Sequence, residues 1–533
     1  MTSTTDLPGS NDPALVWGED GLPRSGRFDD VYFSSDDGLA ESRAVFLEGC
    51  GLPGAWRGRR RFVVGELGFG SGLNIAALLD LWRREGPADG RLHVFSVEAF
   101  PLAREDAARA LARWPELDEA AGALLAGWPG RAAGFHRLEL PDFRAVLDLA
   151  VMEAGAALSQ WAGAADAWFF DGFAPAANPD MWRQEVLDLV AARSAPGARA
   201  GTFTVAGAVR RGLAAAGFAV AKAPGHGRKR ERLEARLEGV ALDPSPPRVA
   251  VIGAGIAGAA LARGLRALGV EPLVFDPQGP ATGASGNPAG LMAPRLDAGL
   301  GPAARLHAQA YARTAALCAA HPEAVIARGA RELEGGPRDA GRFDTIAAAD
   351  LFEPGAMVRT EGALEMPGAL VLDPPRLIGD WLGEVRRAAV ARIEPRHGGL
   401  ALIDADGGTL ASVDAVCICA GHDSAGFAPD LTLQPVRGQV SWARGAPLET
   451  AVSGAGYAVP MRDGALFGAT FDRDRTDEGV DPADDDRNLD LLRRTLPDLA
   501  AAVAGRPLGA RASIRAATRD RLPLAGPLPG APG

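Results

Sequence analysis

Two stretches of the chain repeat the same succession of apolar and polar positions. In each, a short apolar run precedes a glycine-rich turn, and apolar residues at helical spacing follow the turn. The first stretch reads RFVVGEL, GFGSG and LNIAALLDLWRRE over residues 61–85, and the second reads VAVIGAGIAGAALARGLRALG over residues 249–269. Each predicts a strand, a tight loop and a helix, which is the repeating unit of a parallel α/β sheet.

The two patterns predict two domains. At 533 residues the chain is too long for one ordinary hydrophobic core. The proline-rich segment LDPSPPR separates the two patterns, so we expect one domain at residues 1–243 and a second at 248–533. In the second domain, PVRGQVSWA, GYAVP and ALFGATF are typical of strands of an inserted part. We therefore expect a cofactor-binding part at about 248–300 and 385–425, and a substrate part at about 301–384 and 426–520.

The first glycine loop favours S-adenosylmethionine as ligand. Its glycines stand at every second position, whereas a loop for a dinucleotide spaces its last glycine three residues on. The next strand, HVFSVEAF, brings a carboxylate to a position where it can accept hydrogen bonds from two ribose hydroxyls. A merely structural turn is the alternative. The predicted S-adenosylmethionine-binding residues are Glu66, Gly68, Gly70, Gly72 and Glu98.

A candidate acceptor site follows the apolar run AWFF. Asp171 and Phe173 form a polar and aromatic corner where a strand should meet the open edge of the sheet. Methylation of an amine requires a neutral nitrogen, so the site must orient a deprotonated amine. We predict that Asp171 and Phe173 are catalytic, with Asp171 positioning the amine first and removing a proton second. The alternative is that Asp171 only caps the following turn.

The second glycine loop carries the full dinucleotide fingerprint. Gly253, Gly255 and Gly258 have the required spacing, and Asp276 ends the next strand. FAD and NAD share this fingerprint. The small residues of ATGASGNPAGLMAPRLD, which would let backbone approach a flavin ring, and the apolar strand of DAVCICAGHDS favour FAD. From these two segments, the residues added to the predicted FAD site are Ser285, Asn287, Gly290 and Gly421.

Two groups of basic residues are candidate contacts for anionic substrates. Arg228, Lys229 and Arg230 concentrate positive charge late in the first domain and would contact phosphates, although such a run is often a solvated face. Arg511 and Arg515 stand four residues apart, a helix-like spacing, and an arginine there could hold a substrate carboxylate with two hydrogen bonds.

Charge and composition limit the kinds of partner that the sequence predicts. The net charge of −11 argues against nucleic acid except at a local basic patch. No run reaches the roughly 18 apolar residues of a membrane span, and the first residues lack a signal pattern, so we expect a cytoplasmic protein without a membrane partner. The four cysteines show no metal-binding spacing, so we expect no metal site. We also expect a monomer.

Several motifs together resemble one family. DVYFSSDDGLAESRAVF, GELGFGSGLN, WFFDGFAPAANPDMW and GHGRKRERL are similar to the methyltransferase half of the bifunctional tRNA 5-methylaminomethyl-2-thiouridine biosynthesis proteins. GASGNPAGLMAPRLD, PVRGQV and RAATRDRLPLAG resemble the FAD-dependent oxidoreductase half of that family, a relative of glycine and D-amino-acid oxidases. The resemblance spans about residues 14–526.

The resemblance implies an α/β fold: a Rossmann-like S-adenosylmethionine methyltransferase followed by a two-subdomain FAD oxidoreductase. It implies that the second domain removes the carboxymethyl group from 5-carboxymethylaminomethyl(-2-thio)uridine at the tRNA wobble position, and that the first then methylates the amine. Relatives end on a strand, a glycine-rich turn and a helix, whereas seven residues follow Gly526 here, so we expect weak FAD binding. Two alternatives stay open: the same chemistry on free amines, and a non-catalytic flavin domain that presents RNA.

Overall fold

A computed structural model of the chain describes residues 12–34, 37–130, 132–227, 229–349 and 351–528. The chain divides into two compact units, Met1–Ser245 and Pro246–Gly533. Arg228, one of the predicted phosphate contacts, lies outside the described residues. Among the described residues, every helix is too short or too polar to cross a lipid bilayer.

The first unit is an α/β domain. Its strands are β1 Leu15–Trp17, β2 Pro23–Ser25, β3 Asp30–Val31, β4 Arg61–Leu67, β5 Arg91–Val97, β6 Gly134–Leu140, β7 Ala145–Val151, β8 Ala165–Phe170, β9 Ser194–Thr202, β10 Ala219–Pro224 and β11 Glu231–Arg236. Its helices are α1 Gly38–Ser42, α2 Leu73–Glu85, α3 Arg104–Leu111, α4 Asp118–Ala126, α5 Ala154–Gln160, α6 Gln184–Ala192 and α7 Gly207–Ala215.

Eight of the described strands of this unit form one sheet in the order β10-β11-β9-β8-β4-β5-β7-β6. The central strands β9, β8, β4, β5 and β7 are parallel, and β6, β10 and β11 run antiparallel to their neighbours. β4 reads as a nearly continuous apolar run because helices cover both faces of the sheet. Phe62 and Val64 pack into the core on one face, while Val63 and Leu67 pack into the core on the other.

The second unit contains two larger sheets and a short meander. Its strands are β12 Val249–Ile252, β13 Leu273–Phe275, β14 Gly290–Met292, β15 Val325–Leu333, β16 Val358–Thr360, β17 Ala363–Leu372, β18 Val385–Arg386, β19 Arg392–Arg396, β20 Gly399–Ile403, β21 Thr409–Val413, β22 Ala415–Ile418, β23 Gln434–Arg444, β24 Ala451–Ser453, β25 Tyr457–Met461, β26 Gly464–Gly468, β27 Asp472–Arg473 and β28 Leu508–Ala517. Its helices are α8 Ile256–Ala267, α9 Pro302–Ala319, α10 Pro337–Ala347, α11 Pro374–Leu382, α12 Pro482–Thr495 and α13 Pro497–Val503.

The parallel sheet of the second unit has the order β18-β13-β12-β22 and contains the glycine loop between β12 and α8. A larger sheet extends from β14 through β17, β15, β24, β25 and β26 to β23, and β23 also pairs with β28. β14 lies within the segment that we expected to belong to the cofactor-binding part, yet it pairs with β17 of the larger sheet. The chain thus passes into the larger sheet soon after the second strand of the parallel sheet.

Candidate active sites

A cavity of about 640 Å³ lies in the first unit at the carboxyl ends of β4, β5 and β8. The glycine loop after β4, Glu98 after β5 and Asp171 after β8 all contribute to its wall. These three elements meet because the chain first builds β5 and β7 on one side of β4 and later places β8 on the other side. Such a reversal of strand order creates a crevice in which ligands of parallel sheets bind.

The glycine loop lies close to the end of β8. Gly68 has φ +97°, and a Cβ atom there would stand 2.4 Å from the carbonyl oxygen of Asp171, so only glycine permits this approach. Glu98 accepts hydrogen bonds from the backbone N–H groups of Gly70, at 3.0 Å, and Phe100, at 2.9 Å, while burial raises its pKa. Gly72 directly precedes α2. A bare backbone loop beside an acceptor carboxylate fits the adenosine part of S-adenosylmethionine.

Among the described residues, Glu66 is not part of the cavity wall but contacts Asn74, which is, and its predicted role in binding S-adenosylmethionine stays a prediction. Its side chain is fully buried, where Oε2 accepts from Ser96 Oγ at 2.5 Å and Oε1 accepts from Asn74 Nδ2 at 3.2 Å. Burial raises the pKa of Glu66 to about 8, so its neutral form predominates at neutral pH. Because Glu66 is fully buried and accepts a hydrogen bond from Asn74, it supports Asn74 from behind the cavity wall.

Asp171 lies on the cavity wall with an unusual protonation equilibrium. Burial raises its pKa to about 7, and the nearby carboxylates Glu41 and Asp30 act in the same direction. Asn74 opposes them by donating a hydrogen bond from Nδ2 to Asp171 Oδ2 at 2.6 Å. Near neutral pH the carboxyl group therefore exists in both forms, so it can accept an N–H bond and can also take up a proton.

Asn74 was not among the predicted site residues. It stands in the first turn of α2, lines the cavity and is 5% exposed. Its neighbours Leu73 and Ile75 are buried core residues. A polar residue in an otherwise apolar stretch directly after a glycine loop was the available signal, because such a side chain must find partners if it is buried.

Aromatic rings form another part of the wall. The ring of Phe173 lies 4.9 Å from that of Phe28 and 5.4 Å from that of Tyr32, measured between centroids. Trp182 donates from Nε1 to the carbonyl oxygen of Phe173 at 3.1 Å and so fixes the backbone after Asp171. This apolar surface beside a polar acceptor group suits a flat ring that carries an amine.

The basic segment before β11 reaches the same cavity. Lys229 lines it, forms an ion pair with Glu41 at 2.8 Å, and lies 4.1 Å from the centre of the Phe203 ring. Arg230 is exposed, as are Arg210 and Arg211 of α7. Lys229 thus lines the cavity while remaining exposed, as the three arginines are.

The glycine loop of the second unit forms a tight cradle. Gly253 has φ +108°, and a Cβ atom there would stand 2.3 Å from the carbonyl oxygen of Cys419, at the end of β22. A Cβ atom at Gly258 would stand 1.9 Å from the carbonyl oxygen of Gly253. Asp276 accepts from the backbone N–H of Ala254 at 2.9 Å and thereby ties the end of β13 to the loop. This close approach at the start of α8 fits the phosphates of a dinucleotide such as FAD.

Four other predicted FAD residues occupy different places around the loop. Ser285 lies beside Gly255 and accepts from the backbone N–H of Ile256, at the start of α8, at 3.1 Å. Asn287 accepts from Arg511 at 3.3 Å. Gly290 begins β14, and Gly421 follows β22 with φ +59°. The structure thus brings Gly255 and Ser285 together and places Gly290 on a strand of the other sheet.

The predicted helical setting of the two candidate clamp arginines is wrong. Arg511 and Arg515 lie on β28, opposite Val440 and Val436 of β23, and an even separation puts both on one face of a strand. Nη2 of Arg511 donates to the carbonyl oxygens of Thr282 and Gly283, each at 2.6 Å. This arginine therefore ties β28 to the loop before β14.

The guanidinium of Arg515 has a different setting. It crosses Gly438, lies 5.8 Å from the centre of the Phe471 ring, and makes one long hydrogen bond, 3.4 Å, to the carbonyl oxygen of Thr470. By contrast, Arg437 is fully buried and pairs with Asp484 at 2.5 Å, so it stabilises the fold. Of these arginines, Arg515 is the best placed to bind a carboxylate.

Comparison with known proteins defines the class. Residues 115–238 match a family of S-adenosyl-L-methionine-dependent methyltransferases, and residues 248–533 match a family of FAD dependent oxidoreductases. The protein is therefore a methyltransferase joined to an FAD-dependent oxidoreductase. Its cofactors are S-adenosylmethionine and FAD.

Relatives of nearly full length narrow this class to one family. The chain is 57% identical to the tRNA 5-methylaminomethyl-2-thiouridine biosynthesis bifunctional protein MnmC of Caulobacter sp. (strain K31), over 97% of this chain and 89% of that protein. It is 57% identical to the protein of that name from Caulobacter vibrioides, over 98% and 90%, and 46% identical to that from Maricaulis maris, over 97% and 88%. The chain belongs to this MnmC family, so the predicted family, fold class and cofactors are confirmed.

Proposed function

We propose that this chain modifies the wobble uridine of tRNA in two successive steps. Its oxidoreductase removes the carboxymethyl group from 5-carboxymethylaminomethyl(-2-thio)uridine, and its methyltransferase then methylates the resulting aminomethyl group. The identity of 57% with a bifunctional protein of 5-methylaminomethyl-2-thiouridine biosynthesis, over nearly the whole chain, carries this proposal. The cavity around Asp171 supports the second step because it combines an acceptor for an amine with an aromatic surface.

In the methyl-transfer step, the chain must present a neutral amine to the methyl donor. S-adenosylmethionine supplies the methyl group, which leaves the donor sulfur as its C–S bond breaks and the new N–C bond forms. Asp171 accepts an N–H bond from the amine and directs the nitrogen lone pair towards the methyl group. The raised pKa of Asp171, about 7, also allows the carboxylate to take up the proton that the amine loses. Phe173 packs against the uracil ring.

The same proposal assigns the residues that hold the donor and the domain that contains them. Gly68, Gly70 and Gly72 approach S-adenosylmethionine with their backbone, while Glu98 accepts from its ribose. We assign the methyltransferase to residues 1–243 and the oxidoreductase to residues 248–533.

In the oxidation step, the chain must hold a carboxylate beside the flavin. FAD would supply the acceptor for a hydride from the methylene carbon between the substrate nitrogen and its carboxylate, and water would then complete the C–N cleavage with release of glyoxylate. We assign the substrate carboxylate to Arg515, because Arg511 already binds two backbone carbonyls. The residues assigned to FAD are Gly253, Gly255, Gly258, Asp276, Ser285, Asn287, Gly290 and Gly421.

The proposed partner is tRNA. Because this protein has a net charge of −11, we expect tRNA to bind at a local basic patch. We assign the phosphate contacts to Arg228, Lys229 and Arg230. Lys229 lines the methyltransferase cavity, and Arg230 is exposed, as are Arg210 and Arg211. We propose that the protein acts in the cytoplasm as a monomer, and that neither a metal ion nor a membrane takes part.

The test is to incubate the purified protein with labelled S-adenosylmethionine and tRNA that carries 5-carboxymethylaminomethyl-2-thiouridine, and then to digest the tRNA to nucleosides. We expect the label in 5-methylaminomethyl-2-thiouridine. An Asp171→Asn variant serves as the control and should leave the nucleoside at the aminomethyl stage. Label that appears only in added free amines, with none in tRNA, would overturn the proposal in favour of small-molecule chemistry.

A further inference from the structure

We propose that Asn74 is a positioning residue of methyl transfer, which orients the Asp171 carboxylate towards the acceptor amine while Ser42 and Glu66 fix its own amide. This inference rests on the proposed function, because it concerns the residue to which that function assigns the amine. It adds two buried groups, from α1 and β4, that determine how the acceptor residue is held.

The side-chain amide of Asn74 forms hydrogen bonds with both N–H groups and with its oxygen. Nδ2 donates to Asp171 Oδ2 at 2.6 Å and to Glu66 Oε1 at 3.2 Å, while Oδ1 accepts from Ser42 Oγ at 2.7 Å. An amide nitrogen has two donors and its oxygen is an acceptor, so these contacts satisfy both ends. Ser42 is 2% exposed, and Glu66 is 0% exposed. Glu66 therefore closes the network at its inner end, while Ser42, Asn74 and Asp171 belong to the cavity wall.

The contact with Asp171 favours one orientation of the amide. If the Asn74 amide were turned over, its oxygen would face the carboxyl oxygen of Asp171. The bond to ionised Asp171 would then become a repulsion between two acceptors. Because the turned-over amide would lose this charge-assisted bond, the present orientation is favoured and can hold Asp171 in one rotamer.

The charges around Asp171 make the hydrogen bond from Asn74 important for its ionisation. Glu41 on α1 and Asp30 on β3 disfavour its ionised form, as does burial, and Glu66 lies behind Asn74. Lys229, which also lines the cavity, favours the ionised form, although it is paired with Glu41. The hydrogen bond from Asn74 favours the ionised form more strongly than Lys229 does. Without this bond, Asp171 would be protonated at neutral pH and could no longer take a proton from the amine.

The test compares Asn74→Ala and Asn74→Asp with the parent protein. The first removes the donor, and the second replaces it with a carboxyl group of the same shape beside Asp171. The readouts are the pH dependence of kcat/KM for methylation of aminomethyl-tRNA and the calorimetric affinity for S-adenosylmethionine. Asp80→Ala serves as the matched control, because Asp80 lies on the same helix and forms an ion pair with Arg84, and it is not among the described residues that line the cavity.

We expect the acidic limb of the methylation profile to move up by about one pH unit in Asn74→Ala and further in Asn74→Asp, since a hydrogen bond to a charged group has roughly that effect. At pH 7, kcat should fall by about fivefold in Asn74→Ala and by more in Asn74→Asp, while the affinity for S-adenosylmethionine stays within about twofold. Asp80→Ala should match the parent. Unchanged profiles in both Asn74 variants, or an equal loss of donor affinity and rate, would overturn the inference.

A second measurement is independent of the tRNA substrate. Infrared titration of the protein, with Asp171→Asn as the reference that identifies the carboxyl band, gives the pKa of Asp171 directly. A shift of this band upward by about one pH unit in Asn74→Ala would support the positioning role even if no methylation of tRNA were found. An unshifted band would overturn that role even if the parent protein proved to be an active tRNA methyltransferase.

Discussion

At the scale of the residue, burial raises the pKa of two carboxyl groups of the first unit that lie in different places. Burial raises the pKa of Asp171 to about 7 at the cavity wall and that of Glu66 to about 8 behind it. A group that titrates near 7 and is exposed to substrate can exchange a proton during catalysis. A group that stays neutral in the core can hold a neighbouring amide without introducing a charge. This difference leads to a separate prediction for each carboxyl group.

We expect Asp171→Asn to lower kcat for methyl transfer by at least about 100-fold, because the variant keeps the shape of the side chain but cannot take up a proton. The affinity for S-adenosylmethionine should stay nearly unchanged, since the assigned contact of Asp171 is with the amine. Calorimetry of donor binding and a methylation assay check the two parts. Loss of donor affinity equal to the loss of rate would mean that Asp171 holds the donor instead.

We expect Glu66→Gln to reduce the pH dependence of stability. The pKa of Glu66 is raised from 4.5 to about 8 in the folded protein, so its contribution to stability is fully present below pH 4.5 and is lost as the pH rises to about 8. Glutamine does not titrate, so the variant avoids this loss. Relative to the parent, its free energy of unfolding should rise by up to roughly 1.4 kcal/mol for each pH unit crossed in this window.

Thermal unfolding between pH 5 and pH 9 measures this effect, and added S-adenosylmethionine identifies the transition of the first unit by raising its Tm. Glu85→Gln is the matched control, because Glu85 is an exposed glutamate at the end of α2. The difference in Tm between parent and control should not vary with pH. If Glu66→Gln behaves like this control, the buried carboxyl group is already ionised in the parent.

The residues that could be predicted from the sequence are those whose place follows from strand order. Glu98 and Asp171 each follow an apolar run, and the ends of neighbouring parallel strands must meet, so the structure brings them to one cavity. Asn74 and Glu66 could not be assigned in this way. Their partners lie on α1 and β5, far away in the sequence, and only the packed structure decides which polar groups face the cavity and which face the core.

At the scale of the element, a spacing of four residues did not distinguish a helix from a strand. Arg511 and Arg515 would share a face in either element, because four is close to the helical period and is also a multiple of two. These residues lie on a strand because β28 pairs with β23, which is more than 60 residues away in the sequence. The glycine loop at Gly253 was predictable in detail, because its strand, turn and helix are consecutive in the sequence.

The setting of the two arginines on β28 predicts two different losses of function. Arg511→Met removes the bonds to the loop at Thr282 and Gly283, so we expect less flavin per protein after purification. Arg515→Met leaves that loop intact, so flavin content should be kept while KM for the carboxymethylated substrate rises by about 10-fold or more.

Flavin absorbance per protein and steady-state oxidation assays distinguish these outcomes. Arg519→Met is the control, because Arg519 follows β28 and is exposed. It should match the parent in both measurements. If Arg511→Met keeps full flavin content and instead raises KM, the assignments of the two arginines must be exchanged.

At the scale of the whole molecule, each chemical step has its own hydrophobic core and its own site. The two units form around separate sheets, and the described walls of the Asp171 cavity come entirely from the first unit. Mutation of one site should therefore leave the other chemistry intact. Because the proposed steps are consecutive on one nucleoside, the intermediate that accumulates in tRNA identifies the blocked step.

We expect Gly258→Val to block oxidation only. Even a Cβ atom at this position would stand 1.9 Å from the carbonyl oxygen of Gly253, so the loop must open and FAD should be lost. In cells with this variant, tRNA should retain 5-carboxymethylaminomethyl-2-thiouridine, whereas Asp171→Asn should accumulate the aminomethyl form.

The double variant should resemble Gly258→Val alone, because methylation requires the amine that oxidation releases. Nucleoside analysis of tRNA checks all three, and purified Gly258→Val should still methylate aminomethyl-tRNA. Accumulation of the aminomethyl form in the double variant would show that another enzyme supplies the first step.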